Sequence, residues 1–132
     1  MGEHTIRLRG RWECVRPGES TMESATITLP APAGRLPTGP LLLRRRFGRP
    51  PREPEARAVL RISTMPGLRS VTLNGRPIGA TSPPGLDFEA EVGPLLPRNE
   101  LTIEADPPAE GDDWGDVRLV FVERPSDEGR SA

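Results

Sequence analysis

The sequence predicts an all-β fold, an antiparallel β-sandwich, and three observations carry that prediction. Apolar and polar residues alternate at period two in segment after segment, the mark of strands with one buried face. The 132 residues include 17 Pro and 14 Gly. That load excludes a helical bundle or coiled coil, since an interior Pro costs a helix about 3 kcal/mol. These residues also fall largely between the alternating segments, where turns use them.

The elements follow in order. From Thr5 to Cys14, Ile6, Leu8, Gly10, Trp12 and Cys14 share one face, while Arg7, Arg9, Arg11 and Glu13 share the other. Gly10 is expected to bend this stretch into two strand segments. Ala25, Ile27 and Leu29 alternate with Thr26 and Thr28. Residues 30–40, rich in Pro and Gly, read as a loop. Leu41 to Phe47 is a strand of ambiguous parity, because its first three residues are all Leu. Ala58, Leu60 and Ile62 mark a central strand. Ser70 to Leu73 ends at Asn74-Gly75, a pair suited to a type I′ hairpin turn because both central residues need φ > 0. Leu86, Phe88, Ala90 and Val92 face inward against Asp87, Glu89 and Glu91. Leu101, Ile103 and Ala105 point inward on the next strand, 106–116 reads as a loop, and Val117 to Glu123 is the last strand. Eight or nine strands result, in one domain over 5–123 with tails at 1–4 and 124–132.

Composition removes several functions. All 18 basic residues are Arg, balanced by 19 acids to a net charge of −1. With one Cys and one His, a zinc site of the usual Cys/His type cannot be built. A phosphate-binding loop needs the Lys that is missing, and no G-x-G-x-x-G or G-x-S-x-G occurs, so no cofactor is expected. Cys14, unable to form an internal disulfide, fits a reducing, cytoplasmic setting; its apolar face argues for an inert buried thiol over a nucleophile. His4 lies too near a terminus to hold catalytic geometry. No apolar run of membrane-spanning length and no signal peptide is read, so no membrane partner is expected.

Gly10-Arg11-Trp12, Arg44-Arg45-Arg46-Phe47, Val71 to Gly79, Phe88, Asn99 to Ile103 and Val117-Arg118-Leu119 together resemble the N-terminal sugar-binding domain of family-2 glycoside hydrolases, the β-galactosidase and β-glucuronidase group. The resemblance covers about residues 5–123 and implies a galactose-binding-like jelly roll. The resemblance does not extend to the immunoglobulin-like domain and catalytic barrel that follow in that family, nor therefore to the barrel's catalytic carboxylates. No catalytic residue carries over, so the expected activity is binding without catalysis.

Three candidate sites stand out. The loop with Asp112, Asp113, Trp114 and Asp116 offers an aromatic face and carboxylates to a saccharide; the bland alternative packs Trp114 over an open end of the sandwich, and the same acids could hold Ca²⁺. Arg44, Arg45, Arg46, Arg49 and Arg52 could bind an acidic ligand, Arg44 and Arg46 foremost, and could join Arg7, Arg9 and Arg11 in one basic face. The bland alternative pairs them with Asp87, Glu89 and Glu91 across strands. The hairpin tip at Asn74-Gly75-Arg76 is the third, with turn geometry as its ordinary explanation. Trp12, Phe47, Phe88 and Phe121 are assigned to the core. The expected partners are a saccharide or, alternatively, a protein or second copy bound through an edge strand. Nucleic acid is not expected, given the net charge and the want of an aromatic series.

Overall fold

The computed structural model describes residues 3–15, 25–36, 40–48, 57–79, 87–92, 95–109, 111 and 113–122. Among them the chain forms twelve strands: β1 (Glu3–Arg7), β2 (Trp12–Val15), β3 (Ala25–Ile27), β4 (Ala31–Pro32), β5 (Leu41–Gly48), β6 (Arg57–Ser63), β7 (Leu68–Leu73), β8 (Arg76–Pro77), β9 (Phe88–Glu91), β10 (Arg98–Ala105), β11 (Asp113–Trp114) and β12 (Asp116–Val122). The one helical piece described is a 3₁₀ turn at Ala33–Arg35. The strands make a four-stranded sheet in the order β1-β12-β6-β9 and a six-stranded sheet in the order β3-β2-β5-β10-β7-β8. Every pairing is antiparallel, and the chain crosses repeatedly between the two sheets.

The first crossing is made at Gly10-Arg11. The expected bend does more than kink a strand: β1 belongs to the smaller sheet and β2 to the larger. Arg11 takes φ +60° there, a left-handed conformation uncommon for a residue with a side chain. The period-two faces survive the switch. Leu8 from the first segment and Trp12 and Cys14 from the second all enter one core, and the Trp12 indole N–H donates to the Leu8 carbonyl at 2.8 Å across the bend.

That core is filled from both inner faces. Leu41, Leu43, Leu101, Ile103 and Val71 of the larger sheet meet Ala58, Leu60, Ile62, Val117, Leu119 and Phe121 of the smaller. The ambiguous parity of β5 resolves with Leu41 and Leu43 inward, which places Arg45 and Phe47 on the inner face at the strand's far end and Arg44 and Arg46 outside. Asn74 and Gly75 adopt φ +52° and +83°, as the hairpin between β7 and β8 requires.

Two segments read as loops contain strands. β4, within residues 30–40, pairs with β11, within 106–116, as a separate two-stranded sheet. Two-residue strands are too short to display a period, so only their pairing reveals them. Residues 123–132, including the C-terminal tail, lie outside the described residues.

Candidate functional site

Three consecutive arginines occupy β5, and pairing with its neighbours gives each a different setting. Arg44 stands opposite Glu13 of β2 and donates to its carboxylate at 3.0 Å, with Glu100 at 4.0 Å. Arg46 stands opposite Glu100 of β10 and donates to it at 3.2 Å. The outer partners are therefore Glu13 and Glu100, not the acids of β9; Glu89 instead accepts from Arg61 at 2.8 Å. Nor do Arg7 and Arg9 join this cluster in one basic face. They belong to the β1 side of the smaller sheet, where their charges act on Asp116. Arg49 and Arg52 lie outside the described residues.

Arg45, pointing inward and half-buried, donates its Nε–H to the Gly10 carbonyl at 2.7 Å. Burial first, and then the neighbouring charge of Arg11, lowers its pKa.

At the far end of the larger sheet, Asn99 is the one buried polar side chain among the described residues, and each of its amide atoms has a partner. Its Oδ1 accepts from the Leu96 N–H at 3.0 Å and from Asn74 Nδ2 at 3.1 Å, while its Nδ2 donates to the Leu96 carbonyl at 2.9 Å. The Asn74 Oδ1 in turn accepts from the Glu100 N–H at 2.8 Å. One amide thus ties the hairpin tip and the 95–98 connection to the start of β10. A buried network in which each polar atom has a partner holds a local geometry rigid.

Beside that network runs an open groove of about 700 Å³, bounded by Arg46, Phe47, Asn74, Arg98, Asn99 and Glu100. Phe47, assigned to the core by residue type, packs against it but is only half-buried. Arg98 is exposed. The groove therefore combines an aromatic surface with two guanidinium groups, a carboxylate and an amide. Of these, Arg46 and the Asn74 tip are separate candidates in the sequence, whereas Phe47, Arg98 and Glu100 join them only through the fold. The available signal was the position of Phe47 at the end of its strand, beside Gly48.

The acidic loop is arranged differently from the saccharide reading. Trp114 is 1% exposed, and its indole N–H donates to the Pro66 carbonyl at 3.0 Å. Its ring is core, so the expectation of a face free for a sugar is corrected: β11 pairs with β4 and turns the ring inward. Asp113 is exposed, and Asp112 lies outside the described residues. Asp116 accepts a forked pair of bonds from Arg118, at 3.2 Å from Nε and 2.7 Å from Nη2. Among the described residues no cluster of three His, Cys, Asp or Glu side chains is placed to hold a metal. Cys14 is buried.

Hydrogen bonding from Arg118 holds the Asp116 carboxyl below the usual carboxylate range; burial opposes this, and the charges of Arg118, Arg7 and Arg9 add to it. A carboxyl whose pKa is depressed on folding contributes stability above its unfolded pKa of about 3.9, and that contribution is lost as pH falls through the folded value. Asp116→Asn is expected to flatten the acid limb of stability against pH. Urea midpoints at about pH 6 and about pH 2 check this: the gap between them should be smaller in the variant than in the native protein.

No protein-family model matches the sequence, and no curated protein matches it. Solved structures do. The sandwich superposes on a β-glucuronidase from an uncultured Clostridium with TM-score 0.71 and 18% identity, over 92% of this chain and 29% of that one. A β-D-glucuronidase of Dictyoglomus thermophilum gives 0.69 and 19%, over 92% and 28%. A mutant of Bacteroides uniformis β-glucuronidase 2 gives 0.70 and 18%, over 92% and 18%. An all-strand match cannot be the alternating strand–helix barrel. The fold is that of an all-β part of these β-glucuronidases. At these identities the likeness is one of fold, and the jelly roll spans less than a third of the enzymes it matches. No helix among the described residues is long and apolar enough to cross a membrane.

Proposed function

We propose that this jelly roll is a non-catalytic carbohydrate-binding module whose ligand lies in the groove beside the hairpin tip. The carrying observation is the groove's lining: the exposed part of Phe47 flanked by Arg46, Arg98, Glu100 and the Asn74 amide. An aromatic surface accepts the C–H face of a pyranose, and charged or amide groups accept and donate to its hydroxyls. The scaffold suits the task because the Asn99 network holds the rim in place without the ligand, which lowers the ordering cost of binding.

Catalysis is assigned elsewhere for a chemical reason. Glycoside hydrolysis in its usual form uses two carboxylates facing each other across the scissile bond. Glu100 is the carboxylate lining this groove, and Arg46 already occupies it. One carboxylate alone does not make the facing pair that this chemistry uses. The cytoplasmic setting suggested by the lone Cys14 belongs to the same proposal.

A panel of neutral and acidic glycans, followed by calorimetry on any binder, tests this. Phe47→Ala is expected to weaken binding about 10-fold, the scale of one lost aromatic contact. Arg98→Ala, at an exposed position, should weaken it while leaving thermal stability unchanged. A panel without a binder, or affinity indifferent to both substitutions, removes the reading. Doubling of the solution mass would turn attention to assembly through an edge strand.

A further inference from the structure

We propose that Arg11 and Arg45 together form an oxyanion-binding site, for a carboxylate or phosphate group, at the bend where the chain passes from the smaller sheet to the larger. The site is separate from the saccharide groove. Arg45 points to the inner side of β5 while Arg46, in the groove, points outward.

Three observations converge on it. First, Arg45 is the member of the triple-arginine run that has no anion among the described residues. Its neighbours on either side reach Glu13 and Glu100, whereas Arg45 makes its one side-chain bond among the described residues to a neutral carbonyl. A guanidinium carries five N–H donors in a planar fork. The Nε bond to Gly10 fixes the plane of that fork and leaves its outer edge without a described acceptor. Removing a cation from water without pairing it is costly, and the cost rises beside a like charge.

Second, the carbonyl that Arg45 grips belongs to the peptide linking Gly10 to Arg11. The contact therefore brings the Arg45 guanidinium to the backbone of Arg11, at 2.7 Å from Nε to the peptide oxygen, close enough for the Arg11 charge to act on Arg45. No ion pair of Arg11 is found among the described residues.

Third, Arg11 itself is held at φ +60°. The positive φ at Asn74 belongs to a hairpin turn that favours Asn and Gly. At the sheet-switching bend a Gly would meet the same backbone demand without strain, yet the position carries Arg. Residues held in sparsely populated backbone regions cluster at ligand clamps and switch regions. Two guanidinium groups facing one anion would offset the mutual repulsion, and arginine binds carboxylate and phosphate oxygens through two parallel N–H bonds.

The test follows the arginine Nε–Hε resonances by NMR while inorganic phosphate is added at constant ionic strength, with acetate in a second arm. Saturable shifts of Arg45 and Arg11, larger than those of Arg44, are expected. Response to phosphate alone identifies a phosphate site, and response to both identifies a general oxyanion site. Arg11→Gln should raise the phosphate dissociation constant about 10-fold or more, the loss of one charge-assisted pair, while the melting temperature in chloride stays the same or rises. Arg45→Lys, which keeps the charge and loses the fork, should also weaken phosphate binding; should it fail to fold, Arg11→Gln decides. Small unsaturable shifts shared by all arginines, or an unchanged dissociation constant in Arg11→Gln, would overturn the proposal.

Discussion

Trp114→Ala is expected to cost the sandwich about 3–5 kcal/mol of stability, the usual range for truncating a buried Trp. The ring is 1% exposed and its N–H satisfies the Pro66 carbonyl. Truncation therefore opens a cavity and leaves that carbonyl without its donor. The loss reaches beyond one side chain, because Trp114 pairs with Ala31 in the small sheet and precedes Gly115, whose N–H donates to the Thr64 carbonyl at 2.7 Å. A stability of about 5–15 kcal/mol is ordinary for a single domain, so the variant should sit near the edge of folding. Urea unfolding checks it, and a melting temperature lower by about 10 °C or more is the thermal counterpart. A variant that folds with near-native stability but loses a saccharide would restore Trp114 as a ligand contact and contradict its burial.

Gly67→Ala is the second large effect, and its cause is backbone against backbone. Gly67 has φ +90°, and a methyl group added there would collide with the Asp106 carbonyl oxygen and lie 2.8 Å from its carbon. The two residues cannot simply part. The Asp106 N–H donates to the Gly67 carbonyl at 2.9 Å, and β7 and β10 pair through a register shift just before that point. Left-handed strain of about 1–2 kcal/mol adds to an overpacking cost of about 1–3 kcal/mol, for a loss of roughly 2–5 kcal/mol. Gly75→Ala is the matched control. It has φ +83° but open space where the methyl would go, so only the strain, about 1 kcal/mol, should be felt. Equal urea midpoints for the two variants would show that the approach of Gly67 to Asp106 is not a constraint.

The fold was legible where information is local. The inward set Leu101, Ile103 and Ala105 is apparent from alternation, and the turn at Asn74-Gly75 from the backbone freedom of that pair. A Gly inside an alternating run marked the bend at residue 10. The site was less legible because its residues acquire meaning only by pairing. Glu13 and Glu100, far apart in the chain, become the partners of Arg44 and Arg46 through the register of three strands. β9 supplied more obvious acids, but it belongs to the other sheet. Phe47 reads as core by residue type, yet its strand ends where the sandwich opens, so the ring is half-buried and borders the groove.

The sequence by itself determined an all-β sandwich, its turn chemistry and the faces of most strands, because period two and the demands of φ are properties of neighbouring residues. Only the tertiary structure decided which charges neutralise each other, which aromatic ring is covered and where a groove remains. Those outcomes depend on which strands lie side by side. Alternation says which way a side chain points from its own strand; it does not say what it will meet there.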